Sequence, residues 1–125
     1  MSGGPAHILV AEDNALVGGA MRLLFEESGF RVSLAGSIAE TVAAASSDPV
    51  DVLLLDLGLP DGNGLLALDA LRARDALPRV AVALTGRDEP DVAALFMAAG
   101  CAAVLVKPVP ARELVARVRE WTERG

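Results

Sequence analysis

Val50-Asp51-Val52-Leu53-Leu54-Leu55-Asp56 decides the fold. Four apolar residues follow one another without alternation and end abruptly on a carboxylate. A strand with one face in water alternates apolar and polar residues, whereas a strand covered on both faces reads as a continuous apolar run. Two further segments have the same form. His7-Ile8-Leu9-Val10-Ala11 runs straight into Glu12-Asp13, and Val80-Ala81-Val82-Ala83-Leu84 runs into Thr85-Gly86. Arg31-Val32-Ser33-Leu34-Ala35 and Ala103-Val104-Leu105-Val106 are weaker versions that complete a set of five strands.

Helical signals fall between them. From Ala15 to Glu27, the residues Leu16, Ala20, Leu23, Leu24 and Glu27 recur at helical spacing, and Gly29 stops the pattern. Ser37 with Glu40 reads as a capping box ahead of Thr41 to Ala45. Asn63 or Gly64 opens a third helix carrying Leu65, Leu68, Leu71 and Arg72. Pro90 and Pro110 suit the first turns of a fourth and a fifth helix; the fourth is closed by Gly100, and the fifth carries the stripe Leu114, Val115, Val118, Trp121. The apolar stripes of these helices are expected to be core. Strand and helix alternate five times, which implies an α/β, doubly wound (βα)5 parallel sheet with helices on both faces.

The 125 residues suffice for one domain, expected over residues 7–125 behind a flexible leader at 1–6. With 53% hydrophobic residues the chain is too apolar for disorder. A net charge of −6 argues against direct nucleic-acid binding, which needs a basic face. The single cysteine, Cys101, excludes an internal disulfide framework and a thiolate zinc cluster, and the single histidine, His7, excludes a multi-histidine metal site. No apolar run approaches the ~20 residues that span a bilayer, and Met1-Ser2-Gly3-Gly4-Pro5 lacks the regions of a signal peptide. A cytoplasmic protein with no membrane contact is the expectation.

Ligands of open parallel sheets bind beyond the carboxyl ends of the strands. Those ends carry Glu12 and Asp13, Asp56, Thr85 and Lys107. If the first and third strands are neighbours, three carboxylates, a hydroxyl and an amine meet on one edge. Clustered carboxylates raise one another's pKa unless a cation sits among them, and oxygen-only ligands suit Mg²⁺. Carboxylates, a divalent cation, a lysine and a hydroxyl make a site for phosphoryl transfer, in which a carboxylate can be the nucleophile. Lys107 is the only lysine beside ten arginines, so its position favours a compact ammonium over a planar guanidinium.

From His7 to about Trp121 the chain resembles the receiver domain of bacterial two-component response regulators. The resemblance rests on Glu12-Asp13, Asp56, Leu59-Pro60-Asp61-Gly62-Asn63-Gly64, Ala83-Leu84-Thr85-Gly86, Ala98-Ala99-Gly100 and Lys107-Pro108-Val109, all in order. It implies a flavodoxin-like sheet in the order 2-1-3-4-5. It implies that Asp56 is the phosphoacceptor, that Glu12, Asp13, Asp56 and the backbone carbonyl of Gly58 hold Mg²⁺, and that Thr85 and Lys107 contact the phosphoryl group. It further implies a cis Lys107-Pro108 bond. The partner would be a histidine kinase or a histidine-phosphotransfer domain, and the module would assist only its own phosphorylation and dephosphorylation. A stand-alone regulator and a piece of a hybrid histidine kinase fit equally well.

Two rival readings are weaker. Phosphatases resembling the haloacid dehalogenases also use an aspartate nucleophile with Mg²⁺, but they need a second aspartate two residues on, where this chain has Gly58. Gly62-Asn63-Gly64-Leu65-Leu66-Ala67 matches the dinucleotide fingerprint in form, yet no ribose-binding acid lies near Ala83. Two departures from similar receivers are informative. Gly18-Gly19 lies in the first helix, where each glycine costs up to ~1 kcal/mol against alanine, and with Ala15, Pro108 and Val109 it is expected to let a partner helix approach closely. The position at which such domains carry a switching aromatic is Val104, stiff and small. A weak aromatic switch follows, together with a comparatively apolar face on the fourth helix and fifth strand that meets a protein partner or neighbouring domain.

Overall fold

In the computed structural model, which describes residues 4–123, five strands and five helices alternate along the chain. They are β1 (His7–Ala11), α1 (Ala15–Glu27), β2 (Arg31–Ala35), α2 (Ile38–Ser47), β3 (Val52–Asp56), α3 (Gly64–Ala73), β4 (Val80–Thr85), α4 (Pro90–Ala98), β5 (Ala103–Val106) and α5 (Ala111–Glu123). All strand pairs are parallel, in the order β2-β1-β3-β4-β5. β1 and β3 are therefore neighbours, and the chain turns in opposite directions from them, which leaves a crevice at their carboxyl ends.

The continuous apolar runs are explained by the two layers they feed. Alternate residues of β1 and β3 point to opposite faces. Leu9, Ala11, Leu53 and Leu55 join Val42, Ala45, Leu68, Leu71 and Phe96 beneath α2, α3 and α4. Ile8, Val10, Val52 and Leu54 join Phe25, Leu114, Val118 and Trp121 beneath α1 and α5. Leu53, Leu54 and Leu55 are fully buried, each contributing about 1.5–3 kcal/mol of apolar burial.

Several expectations are refined. Of the leader, residues 1–3 lie outside the described residues; residues 4–6 form no regular element, and the Ala6 carbonyl accepts the Arg31 N–H at 2.9 Å. The fifth helix begins at Ala111, with the Pro110 carbonyl accepting the Leu114 N–H. Ser37 Oγ accepts the Glu40 N–H at 3.1 Å as a cap should, but the Glu40 carboxylate reaches past Ser37 to the Gly36 N–H at 2.7 Å.

The expected core stripe of the first helix is wrong in direction. Leu16 is 86% and Leu23 57% exposed, while Gly18 and Phe25 are buried. The inward face of α1 is Gly18, Met21 and Phe25, so the leucine stripe is turned outward, toward a groove shared with α5. His7 and Cys101 are both buried. The buried His7 ring lies 2.8 Å from the Pro49 carbonyl and 2.7 Å from Ser33 Oγ. Burial pushes the Cys101 thiol up to about 11, which leaves it unreactive.

Candidate functional site

Parallel register brings the strand ends to one edge. Ala11 stands opposite Leu55, Asp56 opposite Leu84, and Thr85 opposite Val106. The residues that follow β1 and end β3 must then meet. Glu12, Asp13 and Asp56 each place a carboxylate oxygen within 4.8 Å of the others. Asp56 is only 7% exposed at the end of a buried strand. Its Oδ1 receives two donors: Lys107 Nζ at 3.2 Å, from just beyond β5, and the Gly58 N–H at 3.0 Å.

Three carboxylates facing one ammonium leave an excess of negative charge. Burial and, after it, the Asp56 charge raise the Glu12 carboxyl above its ordinary value, against the Asn14 N–H at 3.1 Å and the Lys107 charge, which hold it down. Oxygen donors of this charge and closeness suit a hard divalent cation with room for water, so the residues present fit Mg²⁺.

The other expected residues are placed unevenly. Thr85 ends β4 on the same edge, but its hydroxyl is occupied by the backbone of Arg87: it accepts the Arg87 N–H at 3.2 Å and donates to the Arg87 carbonyl at 3.3 Å. Gly58 is exposed in the loop that leaves β3, and its N–H is turned to Asp56. Lys107-Pro108 is cis. Val104 is half-buried against the α2–α4 side of the core. On α4 only Phe96 is buried; Leu95 is 56% and Met97 49% exposed, and Val106 of β5 is exposed as well, which is the apolar face that the sequence suggests.

Of the expected docking residues, Ala15, Gly19 and Pro108 are exposed and Val109 is half-buried. Gly18 is not available, because it faces inward and a Cβ there would lie 3.7 Å from Leu34. Neighbouring residues on a helix point about 100° apart, so Gly18 faces the sheet while Gly19 and Ala20 face out. A groove of about 920 Å³ between α1 and α5 runs from the Glu12–Lys107 edge along Leu16, Ala20, Leu23 and Val109.

The partner of one residue in the loop that leaves β3 escapes sequence reading. The Asp61 carboxylate accepts the N–H groups of Ile38 and Ala39 at 2.7 and 3.1 Å, across more than twenty residues of chain. The turn-forming Pro60-Asp61-Gly62 is visible in the sequence, but nothing local says which helix its acid will meet.

The family model for the response regulator receiver domain matches residues 8–119. The TorCAD operon transcriptional regulatory protein TorR of Escherichia coli O157:H7 is 35% identical over 115 residues, covering 92% of this chain and 49% of that protein. The swarming motility regulation protein RssB of Serratia marcescens is 35% identical over 118 residues, covering 94% and 53%. The chain thus spans about half the length of these relatives. Among solved structures, the receiver domain of sensor histidine kinase PA1611 from Pseudomonas aeruginosa PAO1, with a magnesium ion coordinated in its active site cleft, matches at TM-score 0.84 and 26% identity, covering 96% of this chain and 99% of that one. A CheY-like receiver domain protein from Methanospirillum hungatei JF-1 shares the fold at TM-score 0.87 and 24% identity, covering 97% and 96%.

Proposed function

This chain belongs to the response regulator receiver domain family, the phosphoacceptor modules of two-component signalling, and from that premise we propose that Asp56 is its phosphoacceptor. The observation that carries the reading is the buried Asp56 carboxylate, gathered with Glu12 and Asp13 and held by Lys107 at 3.2 Å. Glu12, Asp13, Asp56 and the Gly58 carbonyl would hold Mg²⁺, which when bound neutralises charge on the phosphoryl oxygens.

The chain's own groups do the rest. An Asp56 oxygen attacks the phosphorus of a phosphohistidine, the phosphorus–nitrogen bond breaks, and the imidazole leaves with that electron pair. The Lys107 ammonium, already beside Asp56, offsets the charge that builds on the transferred group. The Thr85 hydroxyl donates to a phosphoryl oxygen once it leaves Arg87. No carboxylate stands at Gly58 to protonate a leaving group, so the module acts on its own aspartate rather than as a phosphatase of other substrates.

The donor would be a histidine kinase or a histidine-phosphotransfer domain, meeting the exposed Ala15, Gly19 and Pro108 and the half-buried Val109 beside the site. Among the described residues no helix is long and apolar enough to cross a membrane, and the cytoplasm is the proposed place of action. Intact-mass measurement after incubation with acetyl phosphate tests the assignment. A single phosphoryl adduct is expected with Mg²⁺ and not without it. Equal labelling of Asp56→Asn and the parent would refute it.

A further inference from the structure

We infer that Asp61 is a positioning residue for the cation site, fastening the loop that carries Gly58 to the first turn of α2. The inference rests on the proposed role of the Gly58 carbonyl with Glu12, Asp13 and Asp56.

The first N–H groups of a helix have no partner within it. In α2 these belong to Ile38, Ala39 and Glu40. Ser37 satisfies only the last, at 3.1 Å. The other two donate to Asp61, Ile38 to Oδ1 at 2.7 Å and Ala39 to Oδ2 at 3.1 Å. Both carboxylate oxygens are engaged, and the negative charge sits at the positive end of the helix. These bonds, the Ile38 N–H foremost, hold the Asp61 carboxyl below its ordinary value, so it stays ionised at neutral pH. The next residue continues the contact. Gly62 has φ +147°, and a Cβ there would lie 3.1 Å from Ile38 Cδ1, so the loop lies directly on the turn it caps.

The loop from Leu57 to Asn63 is otherwise held near its two ends. Leu57 donates to the Leu84 carbonyl at 3.0 Å, Leu59 is buried in the core, and Asn63 caps α3 through the Leu66 N–H. Gly58 has no side chain of its own with which to anchor, its φ and ψ are little restricted, and its N–H is held by Asp56 Oδ1 at 3.0 Å while its carbonyl is left to the run of the chain. Its carbonyl direction is set by what holds its neighbours. Without Asp61, the stretch from Pro60 to Gly62 keeps only an apolar touch on Ile38. A loop that is ordered part of the time binds its cation more weakly by that fraction.

Mg²⁺ titrated into metal-free protein, followed by the backbone amide shifts of Asp13 and Gly58, measures this directly. Asp61→Ala is expected to weaken Mg²⁺ binding by about 3- to 10-fold, as for a loop competent about a third to a tenth of the time. Asp61→Asn, which keeps one acceptor oxygen, should fall between. Hydrogen exchange at Gly58 and Leu59 should quicken in Asp61→Ala before any metal is added. Ser37→Ala removes the other cap of α2 without touching the loop; it should lower the melting temperature and leave Mg²⁺ affinity at the parent value. Affinity in Asp61→Ala within twofold of the parent overturns the inference and leaves the site assignment standing. Equal weakening in Ser37→Ala overturns it too, since α2 stability alone would then account for the effect. A parent protein whose Asp13 and Gly58 amides ignore Mg²⁺ removes the cation site itself, and the inference with it.

Discussion

Replacing Gly19 by alanine should make this protein more stable and a poorer partner. Gly19 is the fifth residue of α1, inside the helix, where glycine costs about 0.8–1 kcal/mol against alanine. A Cβ built on Gly19 meets nothing within 4 Å, so no overpacking offsets that gain. Gly19→Ala should therefore add about 0.5–1 kcal/mol, roughly 2–5 °C in melting temperature for a domain of this size. Gly64 gives the opposite case. A Cβ there would sit 2.8 Å from Leu57 Cδ2, packed against the core, and 2.9 Å from Phe96 Cε1 within it, and Gly64→Ala should lose about 1–3 kcal/mol. Urea unfolding followed by circular dichroism reads both, with the slope unchanged if only stability differs. The same Gly19→Ala protein, mixed with a phosphorylated histidine domain, should accept phosphate more slowly than the parent, and Gly19→Arg more slowly still, while labelling by acetyl phosphate is untouched. A destabilised Gly19→Ala would contradict the open position of this residue on α1. A stabilised variant with parental transfer rates would leave the open glycine in place and remove its docking role.

Lys107→Arg should fold normally, since the side chain is partly exposed, yet lose the spectral response to phosphorylation because a planar guanidinium cannot take the place of the compact ammonium at Asp56; a parental response would contradict this. The raised Glu12 carboxyl holds its proton more tightly in the folded state, so its share of stability is present below the unfolded pKa and lost as pH rises through the raised value. Mg²⁺ should accordingly raise the melting temperature more at about pH 7 than at about pH 4.5, and equal shifts at the two would count against the charge excess at the site. With Val104 stiff and half-buried, beryllofluoride in Mg²⁺ should move the amide resonances around Asp56 more than those from Leu95 to Val106; changes of equal size would show a working switch without the aromatic ring.

The fold was legible because each βα unit is written locally. Short continuous apolar runs bounded by polar residues or glycine read as strands covered on both faces, and the glycines, prolines and capping residues that bound the helices act within a few residues of themselves. The site was legible for a related reason: in a parallel sheet every strand end points to the same edge, so the carboxylates of Glu12, Asp13 and Asp56 and the amine of Lys107 share that edge once the strands are recognised, and they meet once β1 lies beside β3. The order of the strands came with the family resemblance, since periodicity carries no information on which buried strand lies beside which.

What the tertiary structure alone decided concerns direction and distant pairing. The apolar spacing of Leu16, Leu23 and Leu24 satisfies a helical stripe as well as Gly18, Met21 and Phe25 do, and only docking on the sheet shows that the second set faces inward. The same rotation buries Gly18 and presents Gly19. Asp61 completes the cap of a helix that begins twenty-three residues earlier in the chain. Short-range propensity is a property of neighbouring residues and can be read along the chain; which face of a helix meets the sheet, and which loop meets which helix end, depends on the simultaneous packing of all the elements.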